Sequence, residues 1–140
     1  MSTIAARSVL VVSLLTLSCD DDCVRRLETE VRYTGARTGT AYSREIHPRG
    51  QVGSGGSSPA TGPATIATGM ACWQSEGSSD EPGWQLEAWI DTDGDDAAPC
   101  RENLGNLERC RPDPGEPQAR KPFTVSAQGT TRVVLEFGDP

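Results

Sequence analysis

From Val24 onward the chain alternates between apolar and polar positions. Leu27, Thr29, Val31 and Tyr33 fall on one side of an extended chain, and Glu28, Glu30 and Arg32 on the other. That period of two is the mark of a half-buried strand. Gly35 and Gly39 bound a turn, and residues 40–46 carry a second strand. Residues 48–63 are rich in Gly, Ser and Pro with almost nothing to bury, which predicts a long flexible loop. A third strand follows over 64–73, and a loop over 75–83 leads to the clearest alternation in the chain. There Trp84, Leu86, Ala88 and Ile90 share one face, and Gln85, Glu87, Trp89 and Asp91 the other. Residues 97–111 form a polar insertion without strand period. Residues 122–127 and 130–137 then flank Gln128-Gly129, a tight hairpin signal. No stretch carries a helical period of useful length. Short strands with turn-rich spacing predict an all-β fold, a small antiparallel β-sandwich over 24–140.

Two tryptophans of the strand over 84–91 read differently. Trp84 shares its face with Leu86 and Ile90 and belongs to the core. Trp89 falls by parity beside Glu87, where an aromatic is either a binding contact for a partner or glycan, or is covered by a neighbouring loop.

Residues 1–18 do not fit the domain. Arg7 supplies a positive flank, residues 9–17 an apolar run, and Ser18 a small residue before Cys19, as in a signal peptide. The run is too short to cross a hydrocarbon core of about 30 Å, and Asp20-Asp21-Asp22 follows at once as an acidic tether, residues 19–23 in all. Thr16-Leu17-Ser18-Cys19 resembles the lipobox of bacterial lipoproteins. The resemblance implies acylation of Cys19, with palmitate-type chains holding the protein on the inner or outer membrane of the cell envelope. Ordinary signal-peptidase cleavage at the same bond is the competing reading. Cysteine parity bears on the choice. Of five cysteines, lipidation of Cys19 leaves Cys23, Cys72, Cys100 and Cys110, an even set suited to an oxidising compartment. Of the three pairings open to four cysteines, the one taken joins Cys100 to Cys110, tying off the insertion, and Cys23 to Cys72, stapling the first strand to the third. The spacings do not suit a zinc site.

The second half of the chain carries a further resemblance. Residues 82–91, Pro-Gly-Trp-Gln-Leu-Glu-Ala-Trp-Ile-Asp, are similar to a strand of carboxypeptidase-regulatory-like (transthyretin-like, or prealbumin-like) β-sandwich modules of bacterial surface proteins. Residues 91–95 and 113–117 resemble the two halves of that family's acidic loop, and 123–126 with 130–135 its closing hairpin. The likeness covers roughly residues 26–139. It implies a non-catalytic structural or binding module.

Charge narrows the candidates further. A formal net charge of -7 argues against nucleic acid, whose phosphates need a basic face. Asp91, Asp93 and Asp95 stand at alternate positions on a turn, and converging carboxylates suit a hard cation such as Ca²⁺. Counted as an EF-hand-like loop, Glu102 takes the twelfth position, although Asp96 stands where that loop wants glycine. A closure like the family's uses Asp113 or Glu116 instead. The plain alternative is a solvated acidic turn. His47 is the only histidine and reads as a surface residue, so a Ser-His-Asp set or a multi-histidine metal site lacks partners. The glycines at 53–56 lack the lysine of a phosphate loop. The reading is therefore a lipid-anchored envelope protein without catalysis, with an accessory or inhibitor module for a secreted enzyme as the alternative and a small hydrolase third.

Overall fold

The structure, a computed structural model, describes residues 23–140. The segments expected to be a signal peptide and an acidic tether, Cys19 among them, lie outside the described residues except for Cys23. The elements run β1 (Arg25–Tyr33), β2 (Gly39–Ile46), β3 (Val52–Ala60), β4 (Ala64–Trp73), β5 (Glu81–Asp91), α1 (Ala97–Glu102), β6 (Gln118–Val125) and β7 (Gly129–Phe137). Three strands form one sheet in the order β4-β1-β7, and four form the other in the order β3-β2-β5-β6. Every pairing is antiparallel except β1 with β7. The all-β sandwich is thus the fold.

The alternation in the sequence builds the core. Leu27, Val31 and Tyr33 of β1 and Val133, Leu135 and Phe137 of β7 face Trp84, Leu86, Ala88 and Ile90 of β5, all buried in one cluster. Each large apolar side chain sealed there contributes about 1.5–3 kcal/mol. Cys23–Cys72 closes a separation of 49 residues and binds the start of β1 to β4, with Arg26 opposite Cys72 in the register. Beyond β7, the Asp139 carboxylate accepts from the Tyr33 hydroxyl and from the Ala36 amide, tying the end of the chain to the turn after β1.

Three expectations are corrected. Residues 48–63 are not a flexible loop, because most of them form β3, paired residue for residue with β2 from Gly39↔Ala60 to Glu45↔Ser54. An edge strand takes its order from its neighbour's backbone, so it needs few side chains, and Pro59 is tolerated there for want of an outer partner. Residues 122–137 are not a hairpin within one sheet. β6 pairs with β5 and β7 with β1, so the turn at Gln128-Gly129 carries the chain from one sheet to the other. Gly129 supplies the positive φ of 74° that this crossing needs. The insertion, expected to lack helix, contains the short α1, whose Cys100 is buried and bonded to Cys110.

Removal of the long-range disulfide tests the staple. The Cys23→Ser/Cys72→Ser protein should lose about 4 kcal/mol of stability by the loop-entropy argument, read from denaturant midpoints. An unchanged midpoint would show that the staple adds nothing to the sandwich.

Candidate functional site

The outer face of the four-stranded sheet is roofed by the insertion. Trp89 is 0% exposed, which settles its position in favour of a covered residue over a surface contact. Its indole stacks on Tyr42 at 5.2 Å between centroids, and the Arg44 guanidinium lies 4.9 Å from its ring. Its Nε1–H donates to Asp96 Oδ2 at 2.7 Å. Arg44 is buried as well, paired with Glu87 Oε2 at 2.6 Å and donating to the Leu104 and Cys110 carbonyls at 3.0 and 2.7 Å. Arg120 reaches the other Glu87 oxygen. The roof fits so closely that a Cβ on Gly55 would meet Leu104 Cδ2 at 2.4 Å, so glycine there admits the insertion.

Asp96 leads from this roof to the acidic corner. It precedes α1 but does not cap it with its side chain, because its carboxylate is committed to Trp89. At the end of β5, Ile90 N donates to Pro117 O at 2.9 Å, extending the β5–β6 ladder and bringing Glu116 beside Asp91. Carboxylate oxygens then gather in three overlapping groups, each with its oxygens within 4.8 Å of one another: Asp91, Asp93 and Glu116; Asp91, Asp95 and Asp96; Asp93, Asp95 and Asp113. Of the residues named from the sequence, Asp91, Asp93, Asp95, Asp113 and Glu116 converge. Glu102 does not. It is exposed and pairs loosely with Arg109 at 3.8 Å, because α1 carries it away from the corner. Asp96 was missed by the sequence reading. The EF-hand count wanted glycine at its position and hid the simpler signal, an unbroken acidic pair at 95 and 96.

The electrostatics of the corner are those of crowded like charges. The Asp95 carboxyl is raised to about 6, first by desolvation and then by the neighbouring carboxyls of Asp93 and Asp113. Burial likewise raises Asp96 and Glu116 above the usual carboxylate range. Backbone amides hold part of the set: Glu116 accepts from Thr92 N and Asp113 N, each at 3.0 Å, and Asp91 Oδ1 accepts from Gly94 N at 2.6 Å. Asp91 Oδ2 is different. The residue is 1% exposed, and this oxygen is sealed from solvent with no donor. A buried carboxylate oxygen without a donor is strongly unfavourable, and a cation bound among these oxygens would supply the missing positive charge. Several carboxylates at one corner suit Ca²⁺, which takes six to eight oxygens at roughly 2.3–2.6 Å in adaptable geometry.

His47 lies half-buried, its ring edge-on to Trp84 at 4.7 Å and its Nδ1 accepting from Arg49 N. Among the described residues no helix is long and apolar enough to cross a membrane. Comparison with family models, curated proteins and solved structures returned no match, so the function rests on the geometry and the sequence.

Crowding at the corner has a definite pH signature. With the folded carboxyl of Asp95 raised from 3.8 to about 6, its ionisation destabilises the metal-free protein. That penalty is absent below the unfolded value and complete above the folded one. In EDTA, Asp95→Asn should melt above the wild type at pH 7, and the difference should vanish as pH falls through this window. A difference independent of pH would contradict the assignment.

Proposed function

We propose that the chain is a lipid-anchored envelope lipoprotein whose β-sandwich is a Ca²⁺-stabilised structural or binding module without catalysis. The observation that carries the cation is the buried, donorless Oδ2 of Asp91, a residue whose carboxylate gathers with those of Asp93, Asp95, Asp96 and Glu116, with Asp113 joined through Asp93 and Asp95. Asp91, Asp93, Asp95, Asp96, Asp113 and Glu116 would hold it. Its chemistry there is charge neutralisation: it would join the end of β5 to the segment returning into β6.

The address rests on residues 1–19. With Cys23–Cys72 and Cys100–Cys110 both closed, Cys19 is the cysteine left over, and lipidation uses it. The resemblance to carboxypeptidase-regulatory-like modules accords with a sandwich that spaces or binds other envelope proteins or glycans. The inhibitor alternative depends on a projecting loop. Residues 52–60 are instead paired along β2, and the insertion is packed onto the sheet.

Two measurements on protein from membranes test this reading. Intact mass should show an acylated Cys19 and two disulfides; an unacylated mass beginning at Cys19 would remove the anchor. Addition of Ca²⁺ to EDTA-treated protein should raise the melting temperature, by about 2.7 kcal/mol of stability at a hundredfold excess over Kd. Asp91→Asn should abolish the gain. Identical melts with and without Ca²⁺ would remove the cation from the account.

A further inference from the structure

A second acidic feature lies away from the corner, between the sheets. Thr40 pairs with Asp91 at the acidic corner and Glu45 with Leu86, so Glu45 stands five residues along β2, roughly 17 Å from that pairing. Its side chain points into the sandwich and is 4% exposed. Thr29 Oγ1 of the opposite sheet donates to Oε1 at 2.7 Å. Among the described residues this is the only side-chain hydrogen bond to the Glu45 carboxylate, and no cation pairs with it. Oε2 is not among the atoms sealed from solvent without a partner, and Glu45 lines a cleft of about 420 Å³.

The cleft exists because two edge strands lack the side chains to close it. β3 and β4 are the neighbouring edges of the two sheets. On β4, a Cβ at Gly69 would press on Thr29 Oγ1 at 2.5 Å and on Glu45 Oε1 at 3.0 Å, so glycine leaves room for this polar pair. On β3, Ser58 reaches across to the Ile66 carbonyl and Ala60 is buried, so by alternation Gly56 faces the same side. A Cβ there would meet nothing within 4 Å. The space opposite Gly56 is open. Val31, Leu86 and Ile66 give the cleft an apolar strip, beside hydroxyls of Ser43, Ser54, Ser57 and Thr68. The one cation among its lining residues is Arg44, whose guanidinium is held beneath the insertion by Glu87 and two carbonyls.

A carboxylate in a cleft of mixed lining, with one oxygen lacking a donor, no cation of its own and an apolar strip beside it, has the complement of an alkylammonium ion, whose N–H groups the flanking hydroxyls can also accept. We infer that the β3–β4 cleft binds an aliphatic ammonium group, its charge on Glu45 and its methylene stem between Val31, Leu86 and Ile66. The volume lies within the range of small-ligand sites, and the net charge of -7 draws cations toward the surface. The same chemistry occurs in free polyamines and in lysine side chains of extended peptides. This inference is independent of the Ca²⁺ corner.

Calorimetric titration of the full chain, in Ca²⁺ so that the corner is saturated, tests it. One arm uses cadaverine and spermidine. The other uses an extended pentapeptide centred on lysine, with a norleucine-centred peptide as the neutral control. Saturable binding is expected in at least one arm, none with the control, and the arm that binds identifies the source. Glu45→Gln should weaken binding about tenfold or more. Gly56→Leu, which keeps the carboxylate and fills the open space, should do the same while leaving the melting temperature near wild type. The inference is overturned if no ammonium probe binds at about 10 mM, if the norleucine peptide binds equally well, or if both variants bind like the wild type.

Discussion

The hydrogen bond from Trp89 Nε1 to Asp96, with the Arg44–Glu87 pair beneath it, is the contact on which the roofed face of the four-stranded sheet depends. The outer face of the four-stranded sheet carries Tyr42, Arg44, Glu87 and Trp89, and burying that mixture needs a cover that answers every polar atom. The insertion supplies the cover. Its carbonyls at 104 and 110 accept from Arg44, Asp96 just before it accepts from Trp89, and Cys100–Cys110 holds its two limbs together. A charge pair buried this completely contributes little net stability, while loss of one partner leaves an uncompensated charge. Its consequence is positional, since the insertion must lie in one place.

That placement creates the acidic corner. Asp96 is drawn toward Trp89, and the return of the chain into β6 sets Glu116 and Asp113 against Asp91 and Asp93. A sheet end that would otherwise be a solvated turn becomes a crowded carboxylate cluster in which one buried oxygen has no donor. At the β3–β4 edge the logic is reversed. There small residues leave the sandwich open, and a carboxylate stands at the bottom of the gap.

Much of the sandwich was legible in the alternation of β1 and β5, because a strand buried on one face writes its environment into every second residue. The pairing taken for the four cysteines is the one the structure shows, although four cysteines leave three pairings open in the sequence. β3 was not legible: its order comes from hydrogen bonds to β2, and Gly-Ser-Gly-Gly-Ser-Ser carries no side-chain record of them. The turn at Gln128-Gly129 misled because local turn chemistry does not say which sheet the next strand joins. Five carboxylates of the corner were named in advance, but Glu102 was included and Asp96 left out, since linear counting cannot foresee a helix that turns one away and an indole that draws the other in. Glu45 carries no signal in the sequence because its setting comes from three other strands: Thr29 and Gly69 face it across the sandwich, and Gly56 lies on the adjacent strand of its own sheet.

The insertion is a fixed roof over Trp89 and not a mobile loop. Hydrogen exchange at the Trp89 indole Nε1–H, followed by NMR, tests it most directly. The account predicts that this proton exchanges only on the timescale of global unfolding, alongside the amides of β5. Exchange as fast as that of a free indole would contradict it, and the acidic corner would lose the contact that assembles it.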